Sequence, residues 1–295
     1  MSKAIRCLTQ DAAVMGIVMD CTDIVAEMEH IHHPSAVVTA ALGRLLTAAS
    51  LMGIMLKNTE DAVTLRVDGG GPAGVLTAVS DGLGNVRGFV DEPLVDLPIR
   101  ADGKLDVGGI VGREGSLYVL RDTGGKEPYT GCVPLTSGEI AEDITYYYAY
   151  SEQIPTVCAL GVLINPDLTV RAAGGILVQL LPFCPDDVVD KLEANIAALE
   201  PVTVMLDKGM TPEQICDTVF RDMPYNEVDR YEPSYRCTCS RERTERILLT
   251  MSDEDLRDLP TEEGYAESFC HFCHATYRFT REDIEAIIVR RNSDK

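Results

Sequence analysis

Four cysteines near the C-terminus are arranged in two close pairs. Cys237 and Cys239 form a Cys-X-Cys motif in "YRCTCS", and Cys270 and Cys273 form a Cys-X-X-Cys motif in "CHFC". Thirty residues separate the two pairs. Two thiolate pairs joined by a longer loop are typical of a structural zinc site, in which four protein ligands leave no open position for a substrate. The pattern therefore predicts zinc as the cofactor, with Cys237, Cys239, Cys270 and Cys273 as its ligands.

The Cys-X-X-Cys motif by itself allows a second chemistry. A thiol-disulfide oxidoreductase carries such a dithiol at a helix N-terminus that follows a strand. Here the motif lies between "AESF" and "ATYRFT", which indicates a knuckle between two short strands. His271 and His274 adjoin the cysteines and are expected to be solvated neighbours rather than ligands. An oxidoreductase that uses Cys270 and Cys273 stays open as the alternative.

Catalytic signatures of other kinds are not apparent in the sequence. Ser151 in "YSEQ" has no Ser-His-Asp or Ser-Lys pattern around it. The glycine-rich stretch "DGGGPAG" lacks the Lys-Ser or Lys-Thr of a phosphate-binding loop and is interpreted as a hairpin turn. His30 and His33 in "HIHHP" are interpreted as a surface or capping cluster rather than a second metal site. We therefore predict a protein that is not an enzyme.

Charge and cysteine content restrict the partners and the compartment. The 295-residue chain has a formal net charge of −21, so it would repel the phosphate backbone of a nucleic acid. The N-terminus has no basic head followed by a long apolar run, so we expect no export signal. The ten cysteines are then expected as thiols or metal thiolates in the reducing cytoplasm.

The first part of the chain, residues 1–180, is predicted to be an α+β core domain, because strand-like and helical stretches mix without a regular βαβ repeat. The apolar stretch 35–57 is long enough to cross a membrane, but Arg44 would lie near the middle of the bilayer. We therefore expect a buried core helix and no membrane partner. Thr136 and Glu139 are spaced as a capping box and predict a helix start.

Residues 181–229 are predicted to form a helical linker, followed by a small C-terminal zinc-binding redox-switch domain at 230–295. Pro201 interrupts the helical pattern of the linker. Thr211 and Pro212 are suited to the cap and first turn of another helix. Apolar residues recur at helical spacing in the first half of the linker: Val188, Leu192, Ile196 and Leu199.

A family resemblance covers essentially the whole chain. The run "CTCSRERTERILLTMSDEDL…SFCHFCHATYRF" resembles the redox-switch domain of the 33 kDa chaperonin family, the redox-regulated heat-shock holdases. Further similar stretches are "HHPSAVVTAALGRLLTAASLMGIMLK", "NVRGFVDEP", "SGEIAEDITYYYAYSEQIPTVCALGVLI" and "AAGGILVQLLP". The resemblance implies a core domain, a metastable linker and a zinc switch whose ligands are the four cysteines named above. The departures are the extra cysteines of the core and linker and the two histidines beside the Cys-X-X-Cys motif.

The resemblance also implies a function. Such a molecular chaperone binds unfolding proteins and prevents their aggregation under oxidative stress. It is inactive when reduced and zinc-bound, and disulfide formation with zinc release activates it. A sulfenic acid condenses with a nearby thiolate, so we expect the disulfides Cys237–Cys239 and Cys270–Cys273. The partners expected are unfolded client proteins and, because the freed linker would expose apolar surface, a second copy in an oxidised homodimer.

Overall fold

The computed structural model describes residues 2–125 and 127–293. In chain order the strands are β1 (Lys3–Thr9), β2 (Val14–Asp20), β3 (Ala62–Asp68), β4 (Leu76–Asp81), β5 (Val86–Val90), β6 (Ser116–Asp122), β7 (Tyr129–Pro134), β8 (Thr156–Ile164), β9 (Val170–Leu180), β10 (Tyr225–Tyr231), β11 (Tyr265–Phe269) and β12 (Thr276–Thr280). The helices are α1 (Thr22–His32), α2 (Ala36–Ile54), α3 (Val107–Val111), α4 (Ala141–Tyr147), α5 (Asp186–Ala197), α6 (Val202–Asp207), α7 (Pro212–Val219), α8 (Arg241–Leu248), α9 (Asp253–Asp258) and α10 (Arg281–Ser293). A π-helical turn, Tyr148–Glu152, continues α4.

The chain divides into two compact units, Met1–Arg236 and Cys237–Lys295. The first unit holds two five-stranded sheets, and the second holds the hairpin of β11 and β12. Both predicted linker boundaries, at residues 180 and 229, fall inside the first unit. The three-part division of the chain therefore stays a prediction.

The first sheet has the strand order β10-β1-β2-β9-β8, and all of its neighbouring strands are antiparallel. Strands β1, β2, β8 and β9 lie within residues 1–180, which were predicted to be an α+β core, whereas β10 was not predicted and begins inside the stretch that was predicted to be a helical linker. Its sequence, "YNEVDRY", is polar because it forms a largely exposed sheet edge, so the apolar alternation of an inner strand is missing. It pairs with β1 from Ala4 opposite Tyr231 to Thr9 opposite Tyr225.

Helix α2 lies between the two sheets and carries the first core. It contacts β8 and β9 of the first sheet and β3, β4 and β5 of the second, whose order is β5-β4-β3-β6-β7. This helix is long and apolar enough to cross a membrane, yet 94% of its apolar window is buried within the protein. The prediction of a core helix is therefore confirmed. Arg44, its interior charge, pairs with Glu139 at 2.6 Å between Nη1 and Oε2.

The start of α4 differs from its prediction. The capping box of Thr136 and Glu139 is wrong, because the helix begins only at Ala141. The Asp143 carboxylate accepts the backbone N–H groups of Thr136, Ser137 and Ile140 at 2.7, 3.1 and 3.0 Å. Glu139 is occupied by Arg44 instead. The ion pair with Arg44 thus engages the Glu139 side chain that the sequence pattern had assigned to the helix cap.

A second core lies on the other face of the first sheet, where the helices of residues 185–222 dock. The sheet contributes Ile5, Cys7, Val14, Val18, Ile176 and Val178, and the helices contribute Val188, Leu192, Val202, Met205, Ile215, Cys216, Val219 and Phe220. Each fully buried aliphatic or aromatic side chain stabilises this docking by about 1.5–3 kcal/mol. The helical prediction for this segment is confirmed, including Thr211 as the cap of α7, whose hydroxyl accepts the Gln214 N–H at 3.4 Å.

A glycine permits the close approach of α7 to the sheet. A Cβ on Gly16 in β2 would lie 2.7 Å from Cζ of Phe220, closer than carbon atoms normally come. The Phe220 ring therefore occupies space that only glycine leaves free. The absence of a side chain at Gly16 therefore allows the linker to pack closely against the sheet.

The second unit has its own small core. This core is formed by side chains of α9, β12 and α10, namely Leu256, Phe279, Ile284, Ile287 and Ile288. Helix α8 begins at Arg241 because the Ser240 hydroxyl accepts the Arg243 N–H at 3.1 Å. The predicted strands flanking the Cys-X-X-Cys motif are confirmed as β11 and β12, and helix α10 follows them.

Candidate metal centre

Two short backbone segments of the second unit place the four cysteines. Cys237 and Cys239 lie in the extended segment just before α8. Cys270 directly follows β11, and the turn after it carries Cys273. The turn is closed by two backbone hydrogen bonds, from the His274 N–H to the Cys270 carbonyl at 2.8 Å and from the Cys270 N–H to the Ala275 carbonyl at 2.9 Å. This is the knuckle between two strands that the sequence predicted.

The four sulfur atoms converge on one point. All lie within 4.8 Å of one another, with Cys237 Sγ 3.7 Å from Cys270 Sγ and Cys239 Sγ 3.3 Å from Cys273 Sγ. Sulfurs bound at about 2.3 Å to a tetrahedral zinc ion lie about 3.8 Å apart. Each cysteine is half-buried. The spacing and the all-sulfur donor set therefore fit zinc with little rearrangement.

A tyrosine outside the motifs contacts this cluster. The Tyr277 hydroxyl in β12 lies 3.2 Å from Cys239 Sγ. Burial raises the pKa of Cys239, but hydrogen bonds from Tyr277 and the neighbouring thiols outweigh it and lower the pKa to about 7. Burial raises the pKa of Cys237 and of Cys273. Cys237, Cys239 and Cys273 therefore do not ionise alike, and a bound cation is what would allow all of them to be thiolates.

The neighbouring histidines contact a phenylalanine. The ring of Phe269 lies 5.6 Å from that of His271 and 5.1 Å from that of His274, measured between centroids. Across residues 2–125 and 127–293, the group of side chains close enough to hold a metal consists of the four cysteines. His30 and His33 face each other edge to face at 6.0 Å.

The glycine-rich stretch and two tyrosines, Tyr147 and Tyr148, have structural roles. The stretch joins β3 to β4, and its Gly71 N–H donates to the Val111 carbonyl at 3.0 Å. The hairpin-turn prediction is confirmed. Tyr147 and Tyr148 are buried in the first core. Sequence reasoning did not find Tyr277, since its contact with Cys239 depends on how the hairpin folds back toward the Cys-X-Cys segment.

Comparisons with known proteins agree along the whole chain. The family model described as Hsp33 protein matches residues 2–280. A 33 kDa chaperonin of Agathobacter rectalis is 44% identical over 95% of this chain and 97% of its own length. One of Lachnoclostridium phytofermentans is 43% identical over 98% of each chain. The crystal structure of the 33 kDa chaperonin (heat shock protein 33 homolog) of Thermotoga maritima superposes with a TM-score of 0.89, at 34% identity and 99% coverage of both chains. These matches cover both the two-sheet core and the four-cysteine cluster, and the chain therefore belongs to the Hsp33 family.

Proposed function

We propose that this protein is a redox-regulated holdase, a molecular chaperone that binds unfolding proteins when oxidised. The observation that carries the proposal is the convergence of four cysteine sulfurs within 4.8 Å in a chain of the Hsp33 family. A closed set of four sulfur ligands has no position for a substrate, but every ligand can be oxidised. The cluster therefore suits a lock that oxidants open.

The proposed zinc ligands are Cys237, Cys239, Cys270 and Cys273. Bound zinc would keep these sulfurs deprotonated and would hold the Cys-X-Cys segment against the knuckle. One thiolate reduces hydrogen peroxide to water and becomes a sulfenic acid. A second thiolate then attacks that sulfur, expels its oxygen as water and closes a disulfide. Two such disulfides leave no thiolate ligands.

We propose that the disulfides are Cys237–Cys239 and Cys270–Cys273. In the reduced cluster, sulfurs of different motifs are as close as 3.3 and 3.7 Å, so distance alone does not favour these pairs. Once the metal is lost, however, the two segments separate, and the nearest thiol in sequence closes the smallest loop. Peptide mapping of the peroxide-treated chain under non-reducing conditions tests the pairing.

The second core supplies the client-binding surface of the proposal. The small core of the second unit is insufficient without metal, because metal binding contributes about 10 kcal/mol or more to folding in such modules. We propose that unfolding there is followed by undocking of the linker, whose docked face includes Val188, Leu192 and Ile215. Undocking exposes this face and the opposing sheet face, which together form an apolar surface for unfolded clients. The same surface can form the interface of a homodimer of oxidised chains. The reduced thiols are consistent with a location in the reducing cytoplasm.

The double substitution Cys237→Ser with Cys270→Ser tests the function. We expect a chain that no longer retains zinc and that suppresses client aggregation in reducing buffer, where the parent protein does not. Cys132→Ser is the matched control, because Cys132 is an exposed thiol on β7 of the first unit and lies outside the cysteine cluster. Full zinc retention by the double variant would refute the ligand assignment. A zinc-free but inactive variant would refute the lock.

The oxidoreductase alternative is less well supported by the structure. The knuckle leads into strand β12, whereas a catalytic dithiol uses the N-terminus of a helix to stabilise its thiolate. Catalytic turnover of a disulfide substrate with a thiol reductant distinguishes the two. A holdase binds clients stoichiometrically and gives no product.

A further inference from the structure

Two cysteines outside the metal centre meet at the interface between the linker and the sheet. Cys7 lies in β1, and Cys216 lies in α7. The Sγ atoms of Cys7 and Cys216 lie 3.5 Å apart, within hydrogen-bonding distance for two thiols. Both side chains are 0% exposed. The contact therefore joins the core sheet to the docked linker.

The surrounding residues hold this contact in place. Cys7 pairs across the strands with Gly16, whose missing side chain makes room for Phe220, one helical turn after Cys216. Ile5 and Val219 are buried in the same cluster. A disulfide needs a sulfur-to-sulfur distance of about 2.05 Å, so closure requires a movement of about 1.5 Å, which side-chain rotation can share between the residues.

We propose that Cys7 and Cys216 are a disulfide-forming site that fastens helix α7 to the core sheet and opposes release of the linker. The effect on client binding rests on the proposed function, whereas the bond and its effect on the linker do not. Oxidation would thus have two opposite consequences in this chain. Oxidation of the metal-centre cysteines releases the linker, whereas a disulfide between Cys7 and Cys216 holds the linker on the sheet.

The docked state protects the pair from oxidants. The hydrogen bond with Cys7 and then burial raise the pKa of Cys216, so its thiol stays protonated and poorly nucleophilic. The reaction therefore proceeds when the linker opens transiently. The Cys216 thiolate attacks a low-molecular-weight disulfide such as oxidised glutathione, forming a mixed disulfide and releasing one thiol. On redocking, the Cys7 thiolate attacks the Cys216 sulfur and releases the second thiol.

This exchange balances as two protein thiols plus one glutathione disulfide giving one protein disulfide plus two glutathione thiols. The bond spans residues far apart in sequence, and a cross-link that closes a long loop restricts the open state strongly. Once formed, it restrains α7 even when the second unit has unfolded. Reduction by thiols restores the releasable linker.

The test uses the full, zinc-loaded chain incubated with oxidised glutathione, blocked with N-ethylmaleimide and mapped without reduction. We expect a peptide that links Cys7 to Cys216 in the parent protein and in Cys158→Ser. The link should be absent from Cys7→Ser and from Cys216→Ser. Cys158 is a suitable control because it lies in β8 and packs against the first core instead.

Limited proteolysis of residues 185–222 measures the consequence. The cross-linked protein should be cleaved at least about tenfold more slowly than the same protein in reductant. Each variant is compared with itself in reductant, so that any loss of stability from the substitution cancels. Peroxide added after cross-linking should give several-fold slower gain of holdase activity, and Cys7→Ser should remove that delay.

The outcomes separate this inference from the proposed function. The inference is overturned if no Cys7–Cys216 peptide forms in the parent protein, or if the cross-linked linker is cleaved as fast as the reduced one. It stands if the bond forms and slows cleavage. In that case, absence of client protection by every redox form would overturn the proposed function alone.

Discussion

At the scale of single residues, the metal centre depends on more than its four sulfurs. Tyr277 lies within hydrogen-bonding distance of Cys239 and is the main group that lowers the pKa of that thiol to about 7 against the opposing effect of burial. A donor of this kind orients a ligand and disperses its negative charge. Its removal should therefore weaken metal binding while the ligand set stays complete.

The substitution Tyr277→Phe is expected to lower zinc affinity roughly tenfold, as is usual when a hydrogen-bond partner of a metal ligand is removed. Competition with a chromophoric chelator measures it. Tyr265→Phe is the matched control, since the Tyr265 hydroxyl contacts Glu263 in the same unit. Equal zinc affinity of Tyr277→Phe and the parent would show that the tyrosine contact does not support the ligand.

At the scale of elements, the linker helices are held by the shape of the first sheet. Gly16 leaves the space that Phe220 fills, and Asn195 of α5 donates to the carbonyls of Val219 and Arg221 at 3.1 and 2.8 Å. These hydrogen bonds tie α5 to the end of α7. The linker therefore docks as a connected group of helices. A substitution that weakens the docking of one helix should also weaken the docking of the others.

The substitution Gly16→Ala is expected to weaken linker docking, because its Cβ would collide with the Phe220 ring. Overpacking of this kind costs about 1–3 kcal/mol. Hydrogen exchange in Pro212–Val219 should rise roughly 5- to 160-fold, while β3, β4 and β6 stay protected.

The double variant Gly16→Ala with Phe220→Leu serves as the control for the collision. Leucine removes the end of the ring, so the two substitutions together should cost less than the sum of their separate effects. Strict additivity, or an equal rise of exchange in both sheets, would contradict a local steric cause.

Local patterns predicted most elements but not their contacts. The buried helix α2 and the two motifs of the metal centre were readable, because an apolar run and a cysteine spacing are local signals. Strand β10 was not, since an exposed edge strand carries polar residues. The cap at Thr136 failed because Glu139 is taken by Arg44, which is remote in sequence. The approach of Cys7 to Cys216 likewise follows from the docking of α7 and has no sequence signal.

At the scale of the whole molecule, the two units differ in what stabilises them. The first unit has two extensive cores, whereas the second has one small core and the candidate metal centre. A second unit that depends on a metal, as proposed above, can unfold while the first unit persists. The protein is thus suited to respond to a chemical signal by partial unfolding.

Removal of zinc by a strong chelator in reducing buffer should unfold the second unit and undock the linker helices of residues 185–222. Hydrogen exchange in residues 237–293 should reach that of an unfolded chain, since metal binding supplies about 10 kcal/mol or more there. The strands of the two large sheets should keep their protection. Continued protection of β11 and β12 in the metal-free protein would show that the unit folds without its metal.

Oxidation is expected to convert the resting protein into a holdase. Light scattering of a heat-unfolded client measures this most directly, with reduced zinc-loaded protein, peroxide-treated protein and protein reduced again afterwards. We expect strong suppression of aggregation by the peroxide-treated form, little or none by the reduced form, and loss of suppression after re-reduction. Equal suppression by the reduced and peroxide-treated forms would contradict the switch. Suppression by neither would contradict the holdase function.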